Sequence, residues 1–227
     1  SDFEDLLEDI PQPARVENLD MPEALSEFET TKLLESLAKK NFSSSQKINF
    51  MGGGIYDHFI PTIVNSVLER PEFKTAYTPY QAEVSQGTLQ AMYEFQTLIC
   101  RLTAMDVSNA SLYDAATGLA EACLMAFASN KKTEFLIAGS INPLYLETAK
   151  TITAGRKLTF KTFVASDGTA DLAGLKNAIN DKTSAVIVQH PNFFGNLEDV
   201  FEIEKITHSV NAQYISIFNP ISLGLLT

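Results

Sequence analysis

The stretch FKTAYTPYQAEVSQG gathers Tyr77, Tyr80, Gln81, Ser85 and Gln86 around Pro79. Amphipathic rings, amides and a hydroxyl in one loop can orient a small polar ligand; Tyr-rich loops also serve interfaces, and the two uses coexist. Apart from Glu83 the loop offers no general base, and it holds no obvious nucleophile. A second segment, LYDAATGLAEA, places Asp114 as an N-cap and Thr117 in the first helical turn. Hydroxyl and N–H donors converging there suit phosphate, although capped helices of this kind are also ordinary structure. The three glycines of MGGGIYDH follow no clear strand, open no helix and lack GxGxxG spacing, so they are not a dinucleotide fingerprint. A backbone at positive φ, or a close approach to another chain, explains them better.

His58, His190 and His208 are scattered, without the i, i+4 spacing or supporting carboxylates of a zinc site. His190 ends a strand pattern, where it serves either a site or packing; His208 falls on a helix and reads as surface or boundary. Cys100 and Cys123 lie in apolar helical patterns and read as reduced core residues. No metal is expected.

The elements that must position these groups follow from periodicity. A helix is signalled by the capping box Ser26–Glu29, with Leu33, Leu34 and Leu37 on one face. Residues 46–86 are loop-rich, with one short helix in which Pro61 takes the first turn. Another helix runs from about Gly87, with Leu89, Met92, Phe95, Gln96, Ile99 and Leu102 at helical spacing. From about residue 107 strands alternate with helices. The strands are expected near VSNASLY, EFLIAG, LTFKTFV, SAVIVQH and QYISIF, and the helices start near Asp114, Pro143, Asp171 and Leu197. Such alternation calls for a mainly parallel α/β sheet with helices on both faces, whose ligands collect where strands end and helices begin. Three segments result: an acidic arm with a helix at 1–45, Gly/Tyr-rich loops and a helix at 46–106, and a parallel α/β domain at 107–227.

With 227 residues and 45% apolar side chains, the chain can bury a full core. No apolar run approaches the roughly 20 residues of a membrane span, and the acidic opening is no signal peptide, so a cytoplasmic protein with no membrane partner is expected. The net charge of −11 is uneven, because ten of the 28 acidic residues fall in residues 1–30, against Arg15 alone. That charge excludes a polyanion-binding arm and makes nucleic acid no partner.

Taken in order, GGGIYDHFIP, FKTAYTPYQAEVSQGTLQAMYEFQTLIC, LTAMDVSNASLYDAATGLAEA, VIVQHPNFFGNLED and NPISLGLL resemble the glycine decarboxylase P-protein family, in its N-terminal half or first subunit. YTPYQAEVSQG is the most diagnostic string, and the similarity spans essentially the whole chain. The resemblance implies a fold-type I pyridoxal-phosphate large domain with a seven-stranded, mainly parallel sheet. It also implies decarboxylation of glycine and transfer of the aminomethyl group to the lipoyl arm of the H-protein. In that fold an Asp pairs with the pyridine nitrogen and a Lys forms the Schiff base. Here the Asp-like position is Asn219, and Lys182 and Lys205 lie in the wrong elements. Asn142 stands where relatives often have His, and Ala116 and Gly118 depart from the usual turn. The resemblance therefore implies a vestigial inner pocket at Asp114, Thr117, His190 and Asn219, with pyridoxal 5'-phosphate held by a lysine-bearing second subunit. It assigns no catalytic residue to this chain and puts Tyr77, Tyr80, Gln81, Ser85 and Gln86 at the mouth of a composite site. It further implies that the chain is part of a longer subunit, with the last strands of the sheet missing.

Overall fold

Alternation in the short strands decides how the layers assemble. β1 (Glu134–Ala138) sends Phe135 and Ile137 to one face and Leu136 and Ala138 to the other, all fully buried. β3 (Thr183–Gln189) does the same with Ala185 and Ile187 against Val186 and Val188. A strand buried on both faces must be covered twice, which is why these runs are continuously apolar and β-branched. β2 (Thr159–Phe163) and β4 (Gln213–Ile217) flank this pair in the order β2-β1-β3-β4, every pairing parallel. Exposed Lys161 and the threonines of β2 suit an edge.

The structure, a computed structural model, describes residues 2–16, 20–43, 46–50, 52–74 and 77–226. The chain divides into two compact units, residues 1–51 and 52–227. In the second unit α5 (Ala115–Asn130) and α6 (Pro143–Thr153) cover one face, through Leu119, Ala120, Cys123, Ala126 and Ala149. α7 (Leu172–Ala178) and α8 (Val200–His208) cover the other through Leu175, Ile203 and Ile206. Burial of each large side chain contributes about 1.5–3 kcal/mol. Asn130 and Ser184 tie the end of α5 to β3 through Nδ2 to the Ser184 carbonyl at 3.0 Å and Oγ to Oδ1 at 2.9 Å. Cys123 is buried in this core, and burial pushes its thiol up to about 12; Cys100 is only half-buried.

Between residue 52 and the sheet run α2 (Thr62–Leu68), α3 (Pro71–Lys74) and α4 (Gln86–Thr103), none with a buried residue. The first unit carries α1 (Glu27–Ala38), capped reciprocally by Ser26 and Glu29, with Leu33, Leu34 and Leu37 all exposed. Ser26 holds the Glu29 carboxyl below its ordinary value by hydrogen bonding.

Three expectations need correction. VSNASLY forms no strand: it pairs with nothing in the sheet, and Ser111 sits at φ 127. A β-rich composition cannot make a strand without a neighbouring edge at the right register. Pro61 caps α2 from outside instead of taking its first turn, since its fixed φ of −57 accompanies an extended ψ of 142. The single turn α3 adds a second helix where one was expected. The sheet has four strands among the described residues, in keeping with the expected incomplete sheet. Among the described residues no helix is long and apolar enough to cross a membrane.

Candidate functional site

The chain leaves β1 for β2 on one side, then crosses back to β3 and β4 on the other, so the C-terminal ends of β1 and β3 diverge. A crevice opens at such a switch point. Here it has a volume of about 760 Å³. Its floor is Gln189, Ile217, Phe218 and Asn219 at the ends of β3 and β4; its walls are Tyr145 of α6, the loop 191–195, and the strap Gly52–Gly54 with Tyr56 and His58.

Asn142 joins these parts. It is 4% exposed, caps α6 by accepting from Leu144 N at 3.0 Å, and donates its own N–H to Gln189 Oε1 at 2.9 Å. Its Nδ2 reaches the Gly53 carbonyl at 3.4 Å. At Gly54, φ is +92 and an added Cβ would lie 3.0 Å from Asn142 Nδ2, so the strap's approach requires glycine.

The loop after β3 is fixed from beneath by a buried carboxylate. Glu198, 6% exposed, accepts from Ala170 N at 2.8 Å and Asn192 Nδ2 at 2.8 Å. Its backbone N–H donates to His190 Nδ1 at 3.1 Å. The carboxylate packs so closely over Gly139 that a Cβ there would stand 2.1 Å from Oε1. Asn192 is saturated: Nδ2 also donates to the Gly168 carbonyl at 3.0 Å, and Oδ1 accepts from Phe194 N and Asn196 N at 2.9 and 3.1 Å. His190 is thus half-buried, with Nδ1 the acceptor of Glu198 N–H and its own N–H on the Ile217 carbonyl at 2.9 Å.

On the far side of the β4 end, a smaller hollow between α5 and residues Ile215–Phe218 holds Ala115 and Gly118. Asp114 caps α5 there: Oδ1 accepts from Thr117 N at 2.7 Å and from Thr117 Oγ1 at 2.9 Å. Those bonds, backbone first and side chain second, hold the Asp114 carboxyl below its ordinary value. The two Thr117 donors that suited phosphate are therefore spent on a fixed negative charge.

The structure brings Asn219 into the crevice; His190, between the lining residues Gln189 and Pro191, does not line it, and neither do Asp114 and Thr117. Tyr77, Tyr80, Gln81, Ser85 and Gln86 do not line it. They form a separate turn, closed by Ser85 Oγ on the Thr78 carbonyl at 2.9 Å, from which Tyr77 and Tyr80 stand exposed ahead of α4. Sequence reasoning missed Tyr145, Gln189 and the partnership of the glycine strap with Asn142. The only hint was the run of three glycines, which signals close approach without saying to what.

The model of the glycine cleavage system P-protein family matches residues 1–227. The chain belongs to this family. It is 51% identical over 227 residues to the probable glycine dehydrogenase (decarboxylating) subunit 1 of Chloroherpeton thalassium, covering 100% of this chain and 51% of that protein. It is 45% identical to the same subunit of Carboxydothermus hydrogenoformans, with 100% and 51% covered. Among solved structures, an inhibitor-bound glycine decarboxylase P-protein of the glycine cleavage system superposes with a TM-score of 0.89 at 35% identity, covering 100% of this chain and 51% of that one. A C-DES mutant with glycine covalently linked to its PLP cofactor shares the fold alone, with a TM-score of 0.52 at 16% identity over 77% of this chain and 46% of that one. This P-protein chain spans about half the length of the curated relatives it matches.

Pyridoxal phosphate, which the fold family implies, does not fit the crevice of this chain. Asn219, the position where the resemblance implies a carboxylate for the ring nitrogen, offers an uncharged amide whose Oδ1 is already used by Ile221 N at 3.1 Å. Among the described residues no lysine or arginine lines the crevice. Lys205 is 75% exposed on α8 beside Glu202, and Lys182 is exposed ahead of β3, at the opposite end of the sheet.

Proposed function

We propose that this chain is the non-lysine subunit of a cytoplasmic glycine-decarboxylating enzyme, glycine dehydrogenase (aminomethyl-transferring), inactive alone and completed by a lysine-bearing second subunit. The observation that carries the reading is a family match along the whole chain combined with a crevice that lacks the groups pyridoxal phosphate needs. The cofactor belongs on the partner subunit, where it supplies an electron sink for the carbanion left when carbon dioxide departs from glycine. This chain's part is to assemble with that subunit and to orient glycine, or the lipoyl arm of the H-protein that receives the aminomethyl group. Tyr77, Tyr80, Gln81, Ser85 and Gln86 carry that role.

Exposure supports the assignment. Tyr77 is 95% and Tyr80 73% exposed, at the head of an α4 with no buried residue, as expected of side chains whose surroundings come from another polypeptide. The acidic arm at 1–45, the loop segment at 46–106 and the α/β domain at 107–227 are the corresponding functional divisions. Asp114, Thr117, His190 and Asn219 are the remnant of a cofactor pocket.

The test is exchange of bicarbonate with the glycine carboxyl group in the reconstituted complex, together with lipoyl-arm kinetics. Replacing Tyr80 by Phe and Gln86 by Ala lowers kcat/KM for glycine or the lipoyl arm at least tenfold with assembly intact. Unchanged kinetics assign the chain to a scaffold that only stabilises its partner.

A further inference from the structure

Two amides in the crevice are oriented alike. Gln189 Oε1 accepts from Asn142 N at 2.9 Å, and Asn219 Oδ1 from Ile221 N at 3.1 Å, so both carbonyl oxygens are taken by backbone. Among the described residues neither NH2 group has a protein partner, and no buried side-chain polar atom goes unpaired, so both groups are open to the crevice. Asn192 beside them has nothing left to offer. What a ligand meets from these two amides is therefore a pair of donors.

Around the donors stand aromatic rings, Tyr145, Phe193 and Phe218 among them, with His58 the one imidazole, and among the described residues no Asp, Glu, Lys or Arg lines the space. The acidic groups at the neighbouring loop and helix end, Glu198 and Asp114, are already committed to N–H partners. An anion entering here sheds water and meets no lysine or arginine among the described residues to offset that loss. A flat, uncharged ring with acceptor atoms loses little and gains ring contacts. The amide at 219 also chooses the protonation state: it donates to a bare ring nitrogen, whereas a carboxylate would ask for a protonated one. At about 760 Å³ the crevice admits a substituted ring with room to spare.

We propose that this crevice binds an uncharged nitrogen heteroaromatic ring bearing hydrogen-bond acceptors, held by the NH2 groups of Gln189 and Asn219, and that it rejects the anionic form of the same ring. The site lies within this chain and does not depend on the glycine reading, which has its own assay.

The probes are nicotinamide and nicotinate, one ring with a neutral or a negative substituent and no aldehyde to label surface lysines. The full-length chain, without glycine or partner cofactor, is titrated with each by calorimetry and saturation-transfer NMR. Nicotinamide saturates a single site, and nicotinate binds at least tenfold more weakly. Asn219→Asp and Gln189→Glu each keep the oxygen that Ile221 N or Asn142 N requires and exchange the NH2 donor for an anionic acceptor. Each therefore retains the wild-type melting transition and loses nicotinamide at least tenfold. Lys150→Ala, on the exposed face of α6, binds as wild type. No saturable nicotinamide binding, nicotinate binding as tightly or more so, or both isosteric variants binding as wild type overturns the proposal.

Discussion

α4 and α5 are of similar length and lie in the same unit, yet one has no buried residue while the other buries Ala116, Leu119, Ala120, Cys123 and Ala126. α5 is apolar nearly all round and rich in alanine, which lets it lie close against the sheet and α6. α4 has the clearer two-sided pattern, with Leu98 and Leu102 still 61% and 56% exposed. A two-sided helix states that one face must be covered and does not say by what. The segment from Ile55 to Val107 repeats the lesson, with Phe59 and Tyr77 more than nine-tenths exposed. Exposed apolar surface on this scale marks an interaction site.

The comparison breaks most visibly in the core. Phe135→Ala, which removes a fully buried ring stacked on Phe160 at 5.5 Å, destabilises the chain by about 4 kcal/mol in urea unfolding. A loss below about 1 kcal/mol would mean that the sheet is not the stable half. Glu198→Gln comes next. An amide has one acceptor oxygen for two donors, so either Ala170 N–H or Asn192 Nδ2 faces an NH2 group, and unfolding shifts by about 2 kcal/mol. In α4 the expectation reverses. Tyr93→Ala, at a position 74% exposed, changes stability by no more than about 0.5 kcal/mol but weakens association with the proposed second subunit about tenfold in sedimentation equilibrium. Equal affinity would take α4 out of the interface.

The smallest effect is a pH dependence. Hydrogen bonds from Thr117 depress the folded-state pKa of Asp114, so its contribution is fully present above the ordinary carboxylate value and disappears as pH falls through the depressed one. Asp114→Asn keeps a capping oxygen without the charge. Its stability deficit relative to the wild type, read from melts at successive pH values, therefore narrows in acid; a gap that widens there contradicts the capping account.

Much of the α/β half was legible because its information is local. Short continuous apolar runs such as AVIV and FLIA, the Pro143 start, the cap at Asp114 and the helix start at Asp171 each specify their element within a few residues. VSNASLY failed on the same ground, since strand composition is realised only where an edge is free to pair. For the site, a lost carboxylate at Asn219 was implied by the resemblance alone. That Gln189 faces the same space could not be read, because residues 142, 189 and 219 meet only once the sheet is laid in the order β2-β1-β3-β4.

By itself, then, the sequence determined the parallel α/β class and the family, both matters of residue type and short-range spacing. Only the tertiary structure decided which groups share the crevice, that Thr117 spends its donors on Asp114, and that the carbonyl ends of Gln189 and Asn219 are consumed by backbone. Hydrogen-bond partners are chosen by distance in space, and in this fold partners such as Asn142 and Gln189, or Ala170 and Glu198, come together only through crossovers of the sheet.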